Sequence, residues 1–136
     1  DVDLTEKYGK ETMVRFITTH FDYLKTIGSK LSRDASVEVI EAAFIDDNLD
    51  MPYILTGDLN ATPGSAPLRL LEDKGWVVED TGKDLPTVPT ISPRKQIDYV
   101  LVRPRKRWRI SDVSVIQEKM ASDHLPILMT LELISE

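Results

Sequence analysis

Aspartates, histidines and an asparagine stand at the ends of apolar runs in this chain, where they are better placed for chemistry than for packing. The clearest case is Tyr53-Ile54-Leu55-Thr56-Gly57-Asp58-Leu59-Asn60-Ala61-Thr62-Pro63. Tyr53 to Leu55 reads as a buried strand. Alternate residues of a strand point the same way, so Asp58 and Asn60 are expected to project together from its end. Gly57 leaves room beside them, and Pro63-Gly64 turns the chain away. A carboxylate and a carboxamide aimed at one point suit an oxygen-bearing electrophile, such as a phosphate held by a metal. The same residue types also favour a turn for local reasons.

Asp98 is a second candidate. It lies inside the apolar run Gln96-Ile97-Asp98-Tyr99-Val100-Leu101-Val102, and a carboxylate there needs a partner to offset its desolvation. Histidine is the natural one. His124, in Ala121-Ser122-Asp123-His124-Leu125-Pro126, lies just before another apolar run, and His20 follows Thr12–Thr18. A carboxylate that holds one imidazole nitrogen leaves the other to exchange protons near neutral pH.

The elements that must position these groups follow from periodicity. Residues 12–18 are β-branched and apolar and read as a strand. Val37, Ile40 and Phe44 recur at helical spacing, which predicts a helix from about Ser32 to Ile45 capped by Ser32 or Asp34. After the central strand, Ser65 is an N-cap candidate for a short helix with Gly75 at its C′ position. Trp76-Val77-Val78 fits a short strand or buried loop, and residues 79–96, rich in proline and threonine, are expected to be irregular. The Asp98 strand leads through a basic turn at 104–108 into residues 109–116, read as its antiparallel partner. Ile127–Leu133 is the last strand. Strand, helix, strand, helix and three strands describe an α/β chain, an α+β arrangement with one mixed, largely antiparallel sheet and flanking helices.

At 136 residues, 41% of them hydrophobic, the chain is one domain's worth of sequence with enough apolar content for a core. A net charge of −6 argues against holding nucleic acid by bulk electrostatics. The absence of cysteine removes thiolate metal sites and cysteine nucleophiles. No apolar run approaches the roughly 18 residues of a membrane span, and no signal peptide opens the chain, which leaves its compartment undecided.

Four motifs together carry a resemblance. Thr19-His20-Phe21-Asp22, Gly57-Asp58-Leu59-Asn60-Ala61-Thr62-Pro63, Ile97-Asp98-Tyr99-Val100-Leu101 and Ser122-Asp123-His124-Leu125-Pro126 resemble, in order and spacing, the C-terminal half of the endonuclease/exonuclease/phosphatase superfamily, the DNase I-like metal-dependent phosphohydrolases. The resemblance implies a DNase I-like α/β sandwich of which residues 1–136 are about half. It implies that His124, oriented by Asp98, is the general base on the attacking water. It also implies that Asp58 positions that water or a metal, that Asn60 hydrogen-bonds the scissile phosphate, and that His20 assists phosphate binding or the leaving group. Asp123 would be a metal ligand, direct or through water, with Asp58 sharing the ion. Mg²⁺ suits such oxygen ligands, and Mn²⁺ is the usual substitute. Arg94 and Lys95 could reach a second phosphate of the substrate.

The family's first half supplies an asparagine and a metal-binding glutamate that have no counterpart here. An N-terminal half of the same domain is therefore an expected partner, and without it the sheet's inner face is expected to expose an apolar patch and the chain to show little activity. The substrate class implied is a phosphoester: nucleic acid, phospholipid or a small phosphorylated molecule. A non-catalytic binding or scaffolding domain of the same fold is the competing expectation. The basic residues from Arg103 to Arg109 fit a solvated hairpin turn better than a nucleic-acid track.

Overall fold

The computed structural model describes residues 1–8, 11–45, 50–78 and 85–134. Strand β1 (Val2–Asp3) and the single-turn helix α1 (Thr5–Tyr8) lead into β2 (Met13–His20), helix α2 (Ile27–Phe44) and β3 (Tyr53–Asp58). Helix α3 (Ala66–Asp73), β4 (Asp98–Arg103), a 3₁₀ turn at Arg105–Arg107, β5 (Trp108–Val115) and β6 (Ile127–Leu133) complete the order. The first four strands form one sheet in sequence order, β1-β2-β3-β4, and β5 and β6 form a second. Strands β2 and β3 run parallel, as the intervening α2 requires, while β1 and β4 pair antiparallel on either side. Among the described residues no helix is long and apolar enough to cross a membrane.

Alternation along the strands divides the core into two layers. Ile17, Tyr53, Leu55, Tyr99 and Leu101 face α2 and α3, where Val37, Ile40, Leu68 and Leu71 close the layer with Trp76. Val14, Ile54 and Val102 face the other way and pack against Trp108 of β5 and Leu133 of β6. The second sheet thus covers part of the inner face expected to lie open. Phe16, on β2 beside this layer, stays 56% exposed.

Helix α2 begins five residues earlier than its apolar period predicts. Thr26 caps it: its hydroxyl accepts the Ser29 N–H at 3.1 Å. Ile27 and Leu31 of the first turns point to solvent, so this part of the helix is specified by its cap and adds nothing to a core-facing stripe. Helix α3 ends as its glycine predicts. Gly75 takes φ +90°, and the N–H groups of Gly75 and Trp76 donate to the carbonyls of Glu72 and Leu71 at 2.8 and 3.0 Å, a Schellman closure.

The expectation that residues 109–116 pair with the Asp98 strand is corrected: β5 leaves β4 and pairs with β6, so the sheet predicted as one is divided. The basic turn between them is the reason. The Arg107 side chain, buried, donates to the carbonyls of Asp50 and Ile134, and buried Trp108 drops onto the face of the first sheet. The other cations of this run are also engaged within the fold. Arg103 pairs with Glu41 at 2.7 Å, Arg109 with Glu132 at 2.6 Å and Lys106 with Asp50, while Arg105 donates to the Trp108 carbonyl. Of the segment expected to be irregular, residues 79–84 lie outside the described residues. In the remainder Val88 and Lys95 form a small antiparallel bridge. Val77 bridges Val102 through a single pairing, less than a strand.

Candidate active site

Strand register brings the polar groups together. His20 of β2 lies opposite Asp58 of β3, and Asp58 lies opposite Asp98 of β4. One row across three neighbouring strands therefore ends in imidazole, carboxylate and carboxylate. Gly57 is what lets β2 and β3 come this close at their ends. Its φ is +147°, and a Cβ built there would lie 1.8 Å from the Thr19 carbonyl oxygen.

Beyond Asp58 the Leu59 N–H still donates to the Ile97 carbonyl at 2.8 Å, in register with β4, and the Leu59 side chain enters the core. Asn60 then adopts φ +46°, a left-handed conformation that asparagine tolerates. Its backbone N–H donates to Asp58 Oδ1 at 2.8 Å, and its side-chain amide donates to the Phe21 carbonyl at 2.9 Å. The expectation that Asp58 and Asn60 project together from the strand's end is thus corrected to the alternative that their residue types also allow, a local turn. They form an Asx turn, and one amide hydrogen of Asn60 ties the turn to the end of β2. Asp58 Oδ2 faces His20, whose Nε2 lies 3.5 Å away. Most of the His20 side chain is open to solvent.

Asp98 meets the histidine its burial calls for. His124 Nδ1 lies 2.9 Å from Asp98 Oδ2 and 3.2 Å from Oδ1, while Nε2 has no partner among the described residues. The two side chains come from distant elements, β4 and the loop before β6, joined by residues that no sequence motif marks. Thr87, fully buried, donates its hydroxyl to Asp98 Oδ2 at 2.5 Å. Its carbonyl accepts the Leu125 N–H at 2.8 Å. Three residues on, Thr90 bonds the Asp123 carbonyl through its N–H and the Ser122 carbonyl through its hydroxyl. The turn at 87–95 therefore holds the histidine loop and orients the carboxylate at once. The only sequence signal was a pair of threonines among prolines in an otherwise polar stretch.

We predict that Thr87→Val, nearly isosteric but unable to donate, lowers turnover about tenfold, the value of one hydrogen bond to a charged group. Its unfolding midpoint should fall only slightly, and steady-state kinetics beside a thermal melt separates the two. A loss of turnover no larger than the loss of folded protein would exclude an orienting role.

Asp58, Asp98 and His124 offer ligand atoms within 4.8 Å of one another and line an open cleft of about 420 Å³ with Gly57, Ser122 and Pro126. The donor chemistry fits a hard divalent cation that keeps several waters and needs one or two protein carboxylates. Asp58 is the carboxylate best placed for it, since Asp98 is committed to His124 and Thr87. Asp123 is exposed, accepts from the Ser122 hydroxyl at 3.3 Å and lies outside this group of three. Arg94 and Lys95 sit exposed on the 87–95 turn, and neither lines the cleft.

The sequence model of the Endonuclease/Exonuclease/phosphatase family matches residues 24–124. No curated protein sequence matches the chain. Among solved structures, a conserved protein of unknown function from Enterococcus faecalis V583 superposes with a TM-score of 0.71 at 21% identity, over 88% of this chain and 50% of its own. An endonuclease/exonuclease/phosphatase from Beutenbergia cavernae DSM 12333 gives 0.66 at 20% identity, over 87% of this chain and 36% of its own. The mannosyl-6-phosphatase Bt3783 of Bacteroides thetaiotaomicron VPI-5482 gives 0.65 at 18%, over 94% and 54%. The chain spans about half the length of the structures it matches, or less, and at these identities the likeness is one of fold.

Proposed function

Because this chain belongs to the endonuclease/exonuclease/phosphatase family, we propose that it carries the C-terminal part of a metal-dependent phosphoester hydrolase site. The observation that bears most weight is the His124–Asp98 pair. Nδ1 is held by a half-buried carboxylate that a third residue fixes in turn, and Nε2, at the edge of a cleft, has no partner among the described residues. In the reaction, Nε2 takes a proton from water as the water oxygen bonds to phosphorus. The bond to the leaving oxygen breaks with its electron pair, and that oxygen gains a proton from His20 or solvent. Asp98 keeps the imidazole in the tautomer with hydrogen on Nδ1 and stabilises the imidazolium formed.

Asp58 orients the water or holds the cation, and Asn60 donates its remaining amide hydrogen to a phosphoryl oxygen. Mg²⁺ or Mn²⁺, held by Asp58 and through water by Asp123, would neutralise charge on the phosphoryl oxygens. Arg94 and Lys95 are assigned to more distant phosphates of the substrate, from a turn that shares Thr87 with the site. The N-terminal half of the domain would complete the cation's ligands. The phosphatase among the fold relatives supports phosphoester chemistry without naming this chain's substrate.

A panel of phosphomonoesters and phosphodiesters, including plasmid DNA, tests the reading on this chain and on the same chain joined to a relative's N-terminal half. We expect Mg²⁺-dependent hydrolysis, strongest in the joined protein, abolished by EDTA and restored by Mg²⁺ or Mn²⁺. Hydrolysis indifferent to chelation would sink the metal-dependent mechanism. Folded, metal-binding protein with no turnover in either form would favour a binding domain.

A further inference from the structure

Helix α2 carries a charged residue where its own period calls for an apolar one. Ser29, Val37 and Ile40 are buried on one stripe of the helix. Arg33, four residues from Ser29 and four from Val37, belongs to the same stripe. A leucine or methionine would fill this position with no charge to desolvate. The guanidinium is committed to the loop between β2 and α2. Its Nη1 donates to the carbonyls of Asp22 and Leu24 at 2.8 and 3.1 Å and to the Ser29 hydroxyl at 3.2 Å.

His20 and Asn60, the groups proposed above to face the leaving and phosphoryl oxygens, both depend on this loop. His20 is the last residue of β2, is mostly open to solvent, and meets Asp58 at 3.5 Å. Phe21 follows it and is buried. Its N–H donates to the Asp58 carbonyl and its carbonyl accepts from the Asn60 side-chain amide, both at 2.9 Å. Beyond Phe21 the carbonyls of Asp22 and Leu24 accept no backbone N–H among the described residues. The loop's own support there is the bond from the Leu24 N–H to Asp22 Oδ1 at 3.0 Å. Arg33 is what ties residues 22–24 to the helix layer.

We propose that Arg33 is a positioning residue for the phosphate-facing half of the site. By fixing the loop after β2 it keeps His20 in place and, through the Phe21 carbonyl, the Asn60 amide. The proposal rests on the hydrolase reading above and adds to it a residue that touches neither substrate nor cation. Arg33 and Asn60 both line the cavity between α2 and the start of α3, so the support comes from the helix side of the sheet and leaves the cleft open. Its counterpart is Thr87, which holds the His124–Asp98 half from a different element. Loss of one support should therefore leave the other half ordered.

Chemical shifts and ¹⁵N relaxation of the full chain, titrated with methyl phosphate in Mg²⁺, test this in the parent, Arg33→Met, Arg33→Lys and Thr87→Val. Arg33→Met keeps an unbranched stem on the stripe and removes every donor. We expect its thermal midpoint to stay within a few degrees of the parent. Methyl phosphate should bind it about tenfold more weakly, the worth of a hydrogen bond from a charged group. The His20 and Phe21 amides and the Asn60 side-chain amide should lose order on the ps–ns scale while the His124 amide keeps its order. Arg33→Lys still offers an ammonium to both carbonyls, so its affinity should return to within about threefold of the parent. Thr87→Val should loosen His124 and leave His20 and Asn60 ordered.

Methyl phosphate bound as tightly by Arg33→Met as by the parent would overturn the positioning role and leave the hydrolase reading standing. A loss of stability with His20 and Asn60 still ordered would also overturn it, by making Arg33 a structural residue only. Equal weakening in Arg33→Lys and Arg33→Met would do the same, since the donor would not then be what matters. A parent that binds no methyl phosphate at Asp58 or His124 would overturn the hydrolase reading, and this proposal with it.

Discussion

His124→Ala is expected to lower kcat/KM for whichever phosphoester is turned over by roughly 10³-fold, with the fold intact. The side chain is part-exposed at the cleft and makes its one described side-chain bond to Asp98, so removing it leaves no cavity in the core. What disappears is the group proposed above to take the proton from water. Asp98 then keeps its bond from Thr87 and is not stranded. The thermal midpoint should move by no more than a few degrees. His124→Gln separates hydrogen bonding from proton transfer: it can still bond Asp98 but cannot carry the proton, so it should be nearly as inactive as the alanine variant. Activity within tenfold of the parent in both variants would remove His124 as the base.

Gly57→Ala is expected to destabilise the domain by at least about 3 kcal/mol, the largest effect of alanine at any of the described glycines. A Cβ at this position would fall 1.8 Å from the Thr19 carbonyl oxygen and 2.9 Å from its carbon. Those are backbone atoms of the neighbouring strand and cannot swing away as a flexible side chain would. Relief requires β2 and β3 to separate where they pair His20 with Asp58. Site and fold are therefore damaged together: the variant should lose stability in denaturant titration, and any folded fraction should have reduced activity. A stability change under about 1 kcal/mol would mean that the strands are not held this closely. Gly64, whose Cβ would meet nothing within 4 Å, is the internal control. It has a positive φ of +73°, so alanine there should cost only the backbone strain.

Much of this was legible in the residues alone, for local reasons. The identities of β2 to β6, α2 and α3 follow from runs and periods of apolar residues, while β1 and α1 lie in a polar lead that carries no such period, and Gly75 ends α3 as a C′ glycine should. The Asp98–His124 pair was legible because a carboxylate in an apolar strand must be offset, and the chain holds two histidines. One of these precedes a strand close enough in sequence to return to it. Tertiary structure decided the rest. Which histidine meets which carboxylate depends on strand register, which sets His20 against Asp58 and Asp58 against Asp98. The turn of Asn60 towards Phe21 needed the end of β2 to be nearby. Thr87 became an orienting group only because the 87–95 turn folds over β4 and the histidine loop together. The departure of β5 to a second sheet depended on where buried Arg107 and Trp108 could find partners. Periodicity and isolated residue types act over a few residues and so survive in the sequence. Register, loop docking and the pairing of distant polar groups are set by contacts between segments tens of residues apart, which no single segment encodes.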